Sequence, residues 1–580
     1  MLSPHRHGTR PELLVDGTPL RDDVLALVER VVVDCSVHLA DMVEIWFRDG
    51  ARDALTRAGI KIGSAVTVST TRAGDGAQTA LVQAEVTALE CEFDELGTRA
   101  VARGYDHAHR LSRGRRTHSY NDVTDADIVR TVAGRAGLST GDVARGGPVH
   151  EHVAQLNCTD WEFLLARSRE TGHEVAVLDG KVHWRKPAPS ADAPEAAPDL
   201  ISRQARQLVL GTNLLRFRPR VTAAAQVGEV EVRGWDPQRK EAVVGRCQAT
   251  TTSAAVGLDP AGLAAIFDAP PHVAVDRPLS TQGEADAAAA ALAETLASAH
   301  AEAEGMAHGD PQLTPGAAVS VSGAGAPFDG TYTVTATRHL IDDRGYRTEF
   351  VVSGRAERSL LGLASGGATN GVHSAGGPPV YGVVIAQVTD VNDPDDLGRV
   401  KLTFPWLSEE YESWWARVAQ LGAGPQRGAV WLPEVNDEVL VAFEHGDTRR
   451  PYVVGQLYNG VDTPHLGDGL IDGGSGAVKR RGFVSKQGHR LVFLDDDAKS
   501  GVAVMSADDS LKISLNQTAT TIKIAADGSV EIHGSQQVTV ASDGAVSIQA
   551  GTTLELKGNS GVTIDGGPQV GVTGSVIKLN

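Results

Sequence analysis

Apolar residues follow three regimes along the chain. Between Val31 and Val68 they form short β-branched runs, VVVDCSV (31–37), VEIWF (43–47) and AVTV (65–68), the pattern of half-buried strands. Further on, the period becomes helical in three places, each opened by Thr with an acidic residue three positions later. Thr124 and Asp127 precede IVRTVAGRAGL, Thr159 and Glu162 precede FLLARSRE, and Thr281 and Glu284 precede an alanine-rich run reaching Gly305. A hydroxyl that accepts from the N3 amide, with a carboxylate reaching back, satisfies two free donors of a first turn. Three helices are therefore predicted, the last from about 281 to 305 on its alanine content.

The third regime begins at Ile513. Apolar-x-apolar pairs recur at Ile513/Leu515, Ile522/Ile524, Val530/Ile532, Val538/Val540, Val546/Ile548, Leu554/Leu556, Val562/Ile564, Val570/Val572 and Ile577/Leu579, with every step from 522 to 570 equal to eight residues. Glycines stand in the gaps, with Asp-Gly at 527–528, 543–544 and 565–566. An octad holds one short strand and one turn, too little for a single chain to close a solenoid cross-section. Three chains can close it, each giving one side of a triangular prism that buries the paired Val, Ile and Leu and leaves no open edge. The predicted trimer core is the set from Ile513 to Val572, and Val576, Ile577 and Leu579 would form a blunt apolar end. A single-chain solenoid or a flat repeat sheet is the competing arrangement.

Internal similarity adds a duplication. GSAVTVS (63–69) is echoed by GAAVSVS (316–322), each is followed by Val-Thr-Ala (86–88 and 334–336), and a glycine comes eleven residues after that valine, Gly97 and Gly345. A duplicated β-unit is expected, its copies within about 10–110 and 205–360, with helices between them. The expected layout is then a first region 1–372, a linker 373–379, a small β-barrel at 380–460, a Gly-rich linker 461–482 and the octad segment 483–580.

Composition narrows the function. At 580 residues several domains must coexist, and 64 glycines against 5% aromatic residues favour tight turns over aromatic-walled clefts. A net charge of −19 without a dense Lys/Arg stripe speaks against nucleic acid. Residues 1–10 lack the apolar run of a signal peptide, so synthesis in the cytosol is expected. The four cysteines, Cys35, Cys91, Cys158 and Cys247, are too far apart for a CxxC pair and read as reduced, mostly buried thiols. His173-Glu174 opens a zincin-like motif but Val177 takes the place of its second ligand. His107 and His109 could chelate a metal but lack an evident third ligand. Asp495, Asp496 and Asp497 read as a turn, Arg113, Arg115 and Arg116 as a solvated loop, and GGSGA (473–477) fails the hydrolase elbow. No catalytic, metal or cofactor site is expected.

Residues 380–460 alternate in Val400, Leu402, Phe404 and in Val439, Val441, Phe443. DLGRVKLTFPW (396–406), WWARVA (414–419), LPEVNDEVLVAFEHGD (432–447) and PYVVGQLYN (451–459) closely resemble the OB-fold of VgrG and phage spike proteins, which contain the phage baseplate assembly protein V domain. Gly104-Tyr105-Asp106, the 316–334 segment and FVSKQGHRLVFL (483–494) extend the likeness to hub and spike.

The resemblance implies a mainly β fold with a few helices: a hub of duplicated β-barrels, an OB-fold and a C-terminal triple-stranded intertwined β-helix. Only 461–478 lies between barrel and needle, leaving no room for an inserted lysozyme domain, and no fused effector is expected. The layout is most similar to spikes of extracellular contractile injection particles related to the antifeeding prophage. The implied role is a non-enzymatic homotrimeric spike that contacts inner tube subunits and baseplate proteins. It would take a PAAR-type tip protein on Val576, Ile577 and Leu579, and would pierce a target membrane mechanically from a particle open to release. A tailspike-like polysaccharide-binding or -degrading protein, or a trimeric adhesin, is the alternative. Residues 511–580 hold only Asp527, Glu531, Asp543, Glu555 and Asp565 as acids for such chemistry.

Overall fold

The computed structural model describes residues 11–71, 78–95, 97–147, 149–275, 277–355, 379–408, 410–467, 469–496 and 498–578, in two compact units divided after Asn459. The linker expected at 373–379 lies, except for Pro379, outside the described residues.

The β-branched runs become the strands Val28–Ser36, Met42–Arg48 and Ala65–Thr71, which bury Val31, Val33, Val43, Ile45, Phe47, Val66 and Val68 in one core. They belong to an antiparallel eleven-stranded sheet. The duplication can be followed in its strands together with those of a separate four-stranded sheet. In the first copy Ala65–Thr71 pairs with Gln78–Asp94, which is irregular between Val86 and Ala88, turns at Asp94–Gly97 and returns as Gly97–Asp106. In the second, Ala318–Ser322 pairs with Gly330–Thr333, the strand is interrupted at 334–335, resumes as Ala336–Asp342, turns at Asp342–Gly345 and returns as Gly345–Val352. The shared Val-Thr-Ala marks the break in both copies. Gly97 and Gly345 close both hairpins at φ +131° and +101°, where a side chain would be strained. Ala318–Ser322 and Gly330–Thr333 lie in a separate four-stranded sheet, and the copies join through Ala336–Asp342, which pairs with Val28–Ser36 from Ala336 opposite Ser36 to Ile341 opposite Val31.

All three predicted capping boxes are formed, on helices Asp125–Arg135, Asp160–Thr171 and Gln282–Ser298. The third helix ends seven residues earlier than its alanine content suggested, and Ala301–His308 is a strand between Leu214–Val221 and Gly345–Val352. Its burial has period two, with Ala301, Ala303 and Ala307 inside and Glu304 exposed, so the same small residues serve a sheet once partners are available on both sides. Gly305 is obligatory there, since a Cβ would lie 2.2 Å from Phe350 Cζ.

Residues 107–185 form a module between the copies, around Leu111, Tyr120, Ile128, Val132, Phe163, Leu164, Val175 and Trp184. The small barrel is a five-stranded sheet whose central strands are Val383–Asp390, Glu438–Phe443 and Pro451–Gln456. Its core of Val388, Val400, Leu402, Phe404, Val439, Val441 and Val453 includes Ala154 and Leu156 from the module's strand His150–Cys158.

The second unit begins with an antiparallel meander, Arg480–Val484, Arg490–Asp496, Lys499–Met505, Leu511–Asn516 and Thr521–Ala526. The first octad pairs are cross-strand neighbours in it, Ile513 opposite Ile524 and Leu515 opposite Ile522. The expected strand-turn-strand needle thus starts with in-chain hairpins. Beyond Ala526 no strand is assigned among the described residues.

Candidate functional site

In the meander, directly opposed positions share a face. Phe483, Leu491, Val504, Ile513 and Ile524 follow one another across the five strands, and Phe493, Val502, Leu515 and Ile522 run beside them. One face is therefore apolar from edge to edge, yet Phe483, Phe493, Val504, Ile513, Leu515, Ile522 and Ile524 are all exposed. The octads continue this state. Val530, Val538, Val546, Leu554, Val562 and Val570 are each 53–54% exposed, whereas Ile532, Val540, Ile548, Leu556, Ile564 and Val572 lie between 62% and 74%. Val576 and Ile577 are exposed in the same way, and Leu579 lies outside the described residues. The octads thus keep an eight-residue periodicity in exposure without a strand ladder among the described residues, which makes them the candidate site.

Glycine holds the turns at particular levels. A Cβ on Gly534, Gly558 or Gly566 would meet the carbonyl oxygen of Gln537, Gly561 or Gln569 at 2.6, 2.1 and 2.4 Å, whereas Gly528 and Gly551 have open space. The turn is therefore tight at some levels and tolerant at others.

The eleven-stranded sheet offers two further unpaired edges. Leu214–Val221 is its terminal strand, with Arg216, Arg218 and Arg220 exposed on alternate positions. At the opposite side Ala65–Thr71 stops at Glu85, leaving residues 88–94 paired only to the returning strand. That arm exposes Leu89 and Phe93, with Glu90 and Glu92 between and beside them. The first edge carries exposed arginines, whereas the carboxylates of the second are paired within the sheet, Glu90 with Arg103 at 2.6 Å and Glu92 with Arg99 at 3.5 Å.

The candidate chemistry is occupied by structural contacts. His109 lies 2.7 Å from Glu85 through Nε2 and accepts from Arg113 at Nδ1, so neither ring nitrogen is left for chelation with His107. Arg110, helped by His109, holds the Glu85 carboxyl down at about 2 against the effect of burial. His173 stacks on Trp184 with centroids 5.4 Å apart, and Glu174 accepts from Arg185 at 2.8 Å. Arg115 donates to the Asn157 carbonyl, and Arg116 lies 3.6 Å from Asp160. Asp496 pairs with Lys479, Asp495 accepts from Arg481, and Asp497 is outside the described residues. Asp472 takes amide bonds from Gly474 and Ser475, making GGSGA a closed turn.

Cys35 and Cys158 are buried, and burial pushes the Cys158 thiol up to about 12. Cys91 is exposed and Cys247 half-buried, so only two of the four thiols match the expectation of burial: the strand carrying Cys91 projects beyond its neighbour. Among the described residues there is no cluster of three or more metal-ligating side chains, and no helix is long and apolar enough to cross a membrane.

One buried pair escaped sequence reading. Asp106 is pushed up to about 8 by burial and then by Asp41, which burial itself raises to about 6. Asp106 caps the 3-10 turn His107–Ser112 by accepting from the Ala108 amide. Carboxylates 65 positions apart give no local signal of such a meeting.

Comparison with known proteins fits this geometry. Residues 384–458 match the model of the type VI secretion system/phage-baseplate injector OB domain, and residues 79–343 match a model described as the Alg8 N-terminal domain. The chain is 35% identical over 138 residues to the type VI secretion system spike protein VgrG3 of Vibrio cholerae, covering 22% of this chain and 13% of that protein. It is 38% identical over 95 residues to the actin cross-linking toxin VgrG1 of the same species, covering 15% and 9%. The chain thus spans well under a fifth of the length of these relatives. A chain of the Francisella PdpA–VgrG complex, half-lidded, superposes with a TM-score of 0.52 over 90% of this chain and 88% of that one, at 8% identity. The protein is mainly β, matches the injector OB domain over residues 384–458 and is similar over part of its length to VgrG spike proteins.

Proposed function

We propose that this chain is the non-enzymatic central spike of a phage-tail-like contractile injection apparatus, acting as a homotrimer. The observation that carries the reading is the octad ribbon from Val530 to Val572: level after level of paired apolar residues, each more than half exposed and without an in-chain ladder among the described residues, on a chain that bears an injector OB domain. Burying one aliphatic side chain contributes roughly 1.5–3 kcal/mol, so three copies wound together gain at every level what one copy forgoes. Backbone groups that have no partner within the chain would bond between chains, and no open edge would remain.

The two different open edges of the large sheet support closure into a ring, because a head-to-tail contact between two different edges repeats until it closes. In this reading the duplicated sheets of three copies form a hub beneath the inner tube, held by baseplate proteins. The OB domain forms a collar and the octads form the needle. Val576, Ile577 and Leu579 present an apolar end to a PAAR-type tip protein, and any zinc there belongs to that partner. The mechanism is mechanical: sheath contraction supplied by other proteins drives the rod, and inter-chain ladders resist its bending. The protein is made in the cytosol and built into a particle that can leave the cell.

Sedimentation of the purified protein tests the reading. The expected mass is three times 60.9 kDa, about 183 kDa, and a folded species near 61 kDa would overturn it.

A further inference from the structure

We infer that the OB domain is fastened to the hub by a non-covalent joint pinned by Arg449, and that thrust on the hub reaches the spike through this joint. The thrust half of this inference rests on the spike reading; the joint itself does not.

The OB core is not completed by its own residues. His150–Cys158 buries Val153 in the hub module and turns Ala154 and Leu156 into the OB core beside Val388, Phe404 and Val441, so one strand belongs to both cores. Next to it the His152 ring stacks on Trp414, centroids 5.9 Å apart, and Ser119 donates to the Glu412 carbonyl at 3.3 Å.

On the other side, the OB turn at 444–450 reverses sharply, with His445 at φ +52° and Gly446 at φ +77°. This sends Arg449 and Arg450 to two hub helices. Arg449 donates to Asp447 of its own turn at 2.9 Å and to Glu170 of helix Asp160–Thr171 at 3.3 Å. Arg450 donates to Ser280 at 2.9 Å and lies 3.7 Å from Glu284, the capping carboxylate of helix Gln282–Ser298.

Glu170 is not an isolated anchor. Arg167 pairs with it at 2.9 Å and with Asp125 at 2.6 Å, and Asp125 in turn lies 3.1 Å from His150 on the shared strand. The polar chain therefore runs from the OB turn through one helix to the N-terminus of another and back to the strand that enters the OB core. Asp447 and Arg167 are buried, and the Arg449 side chain is only 23% exposed. Burial pulls Arg449 down, and Glu170 with Asp447 more than offsets this, holding it above its ordinary value. Moving the OB turn off helix Asp160–Thr171 breaks the Arg449–Glu170 bond and leaves Arg449 to Asp447 alone and Glu170 to Arg167 alone in a largely buried setting, which makes small displacements costly. That steepness is what a joint under axial load requires.

The test uses the full chain with a protease recognition sequence inserted between Gly366 and Gly367. After complete cutting, the wild-type halves are expected to co-elute in size exclusion at physiological salt. Arg449→Met combined with Glu170→Gln is expected to raise dissociation of the cut halves at least tenfold, with Arg449→Lys, which keeps the charge and loses the fork, in between. Circular dichroism of the uncut variants checks their folding, and Arg449→Lys remains readable if the double variant does not fold. Wild-type halves that part on cutting would overturn the joint, as would folded variants whose halves stay together as tightly as wild type. The mass of uncut protein is read separately, so a monomer would defeat the spike reading and leave the joint's outcome intact.

Discussion

Ile548→Asp perturbs the proposed shaft at a single level. In one chain the Ile548 side chain is 68% exposed, so about a third of its surface is protected and a monomer would lose at most about 0.5–1 kcal/mol. In a trimer three isoleucines leave the axis together, about 4.5–9 kcal/mol of burial, and three carboxyls enter a low-dielectric interior with no cation beside them. The expected result is loss of the ~183 kDa species, or a fall in its melting temperature well beyond that of Ile548→Val. The sign with pH is also determined. Burial raises the introduced carboxyl's folded-state pKa above its unfolded value near ~4. Stability is then retained below that value and lost as pH rises through the folded pKa, so the variant should trimerise better at pH 4.5 than at pH 8. Sedimentation and thermal melting at both pH values read it, with the outward Glu555→Gln as control. A trimer of unchanged mass and melting at pH 8 would refute the packed axis.

Asp106, raised to about 8 in the fold, makes the hub more stable below the ordinary carboxylate range and less stable as pH rises toward 8. Asp106→Asn should remove much of the pH 5 to pH 9 difference in urea midpoint, and identical pH profiles for variant and wild type would contradict the assigned burial. Gly558→Ala places a Cβ 2.1 Å from the Gly561 carbonyl and should cost about 1–3 kcal/mol, whereas Gly528→Ala, with open space, should change melting little. Thr281→Ala removes the hydroxyl that accepts from the Glu284 amide at 3.2 Å and should cost about 1 kcal/mol by denaturant titration, with Thr281→Ser close to wild type.

Local pattern was enough for some features and powerless for others. The octad repeat, the three capping boxes and the duplicated Val-Thr-Ala with its following glycine are each set within a few residues, by side-chain spacing, hydroxyl reach and backbone sign. All were legible in the amino-acid order, as were the OB strands around Val400 and Val439. Four things depended on segments far apart in the chain. Ala301–His308 became a strand although its alanines suit a helix, because open strands stood on both sides of it. The two sheet copies fused through Val28–Ser36 and Ala336–Asp342, a pairing no local period announces. Ala154 and Leu156 closed a core that begins more than 200 residues later, and Arg449 met Glu170 across a similar distance. Periodicity tells a segment which face to bury and where to stop. Which partner receives that face is decided by long-range competition among strands, helices and buried charges, and that competition is resolved only in the folded chain.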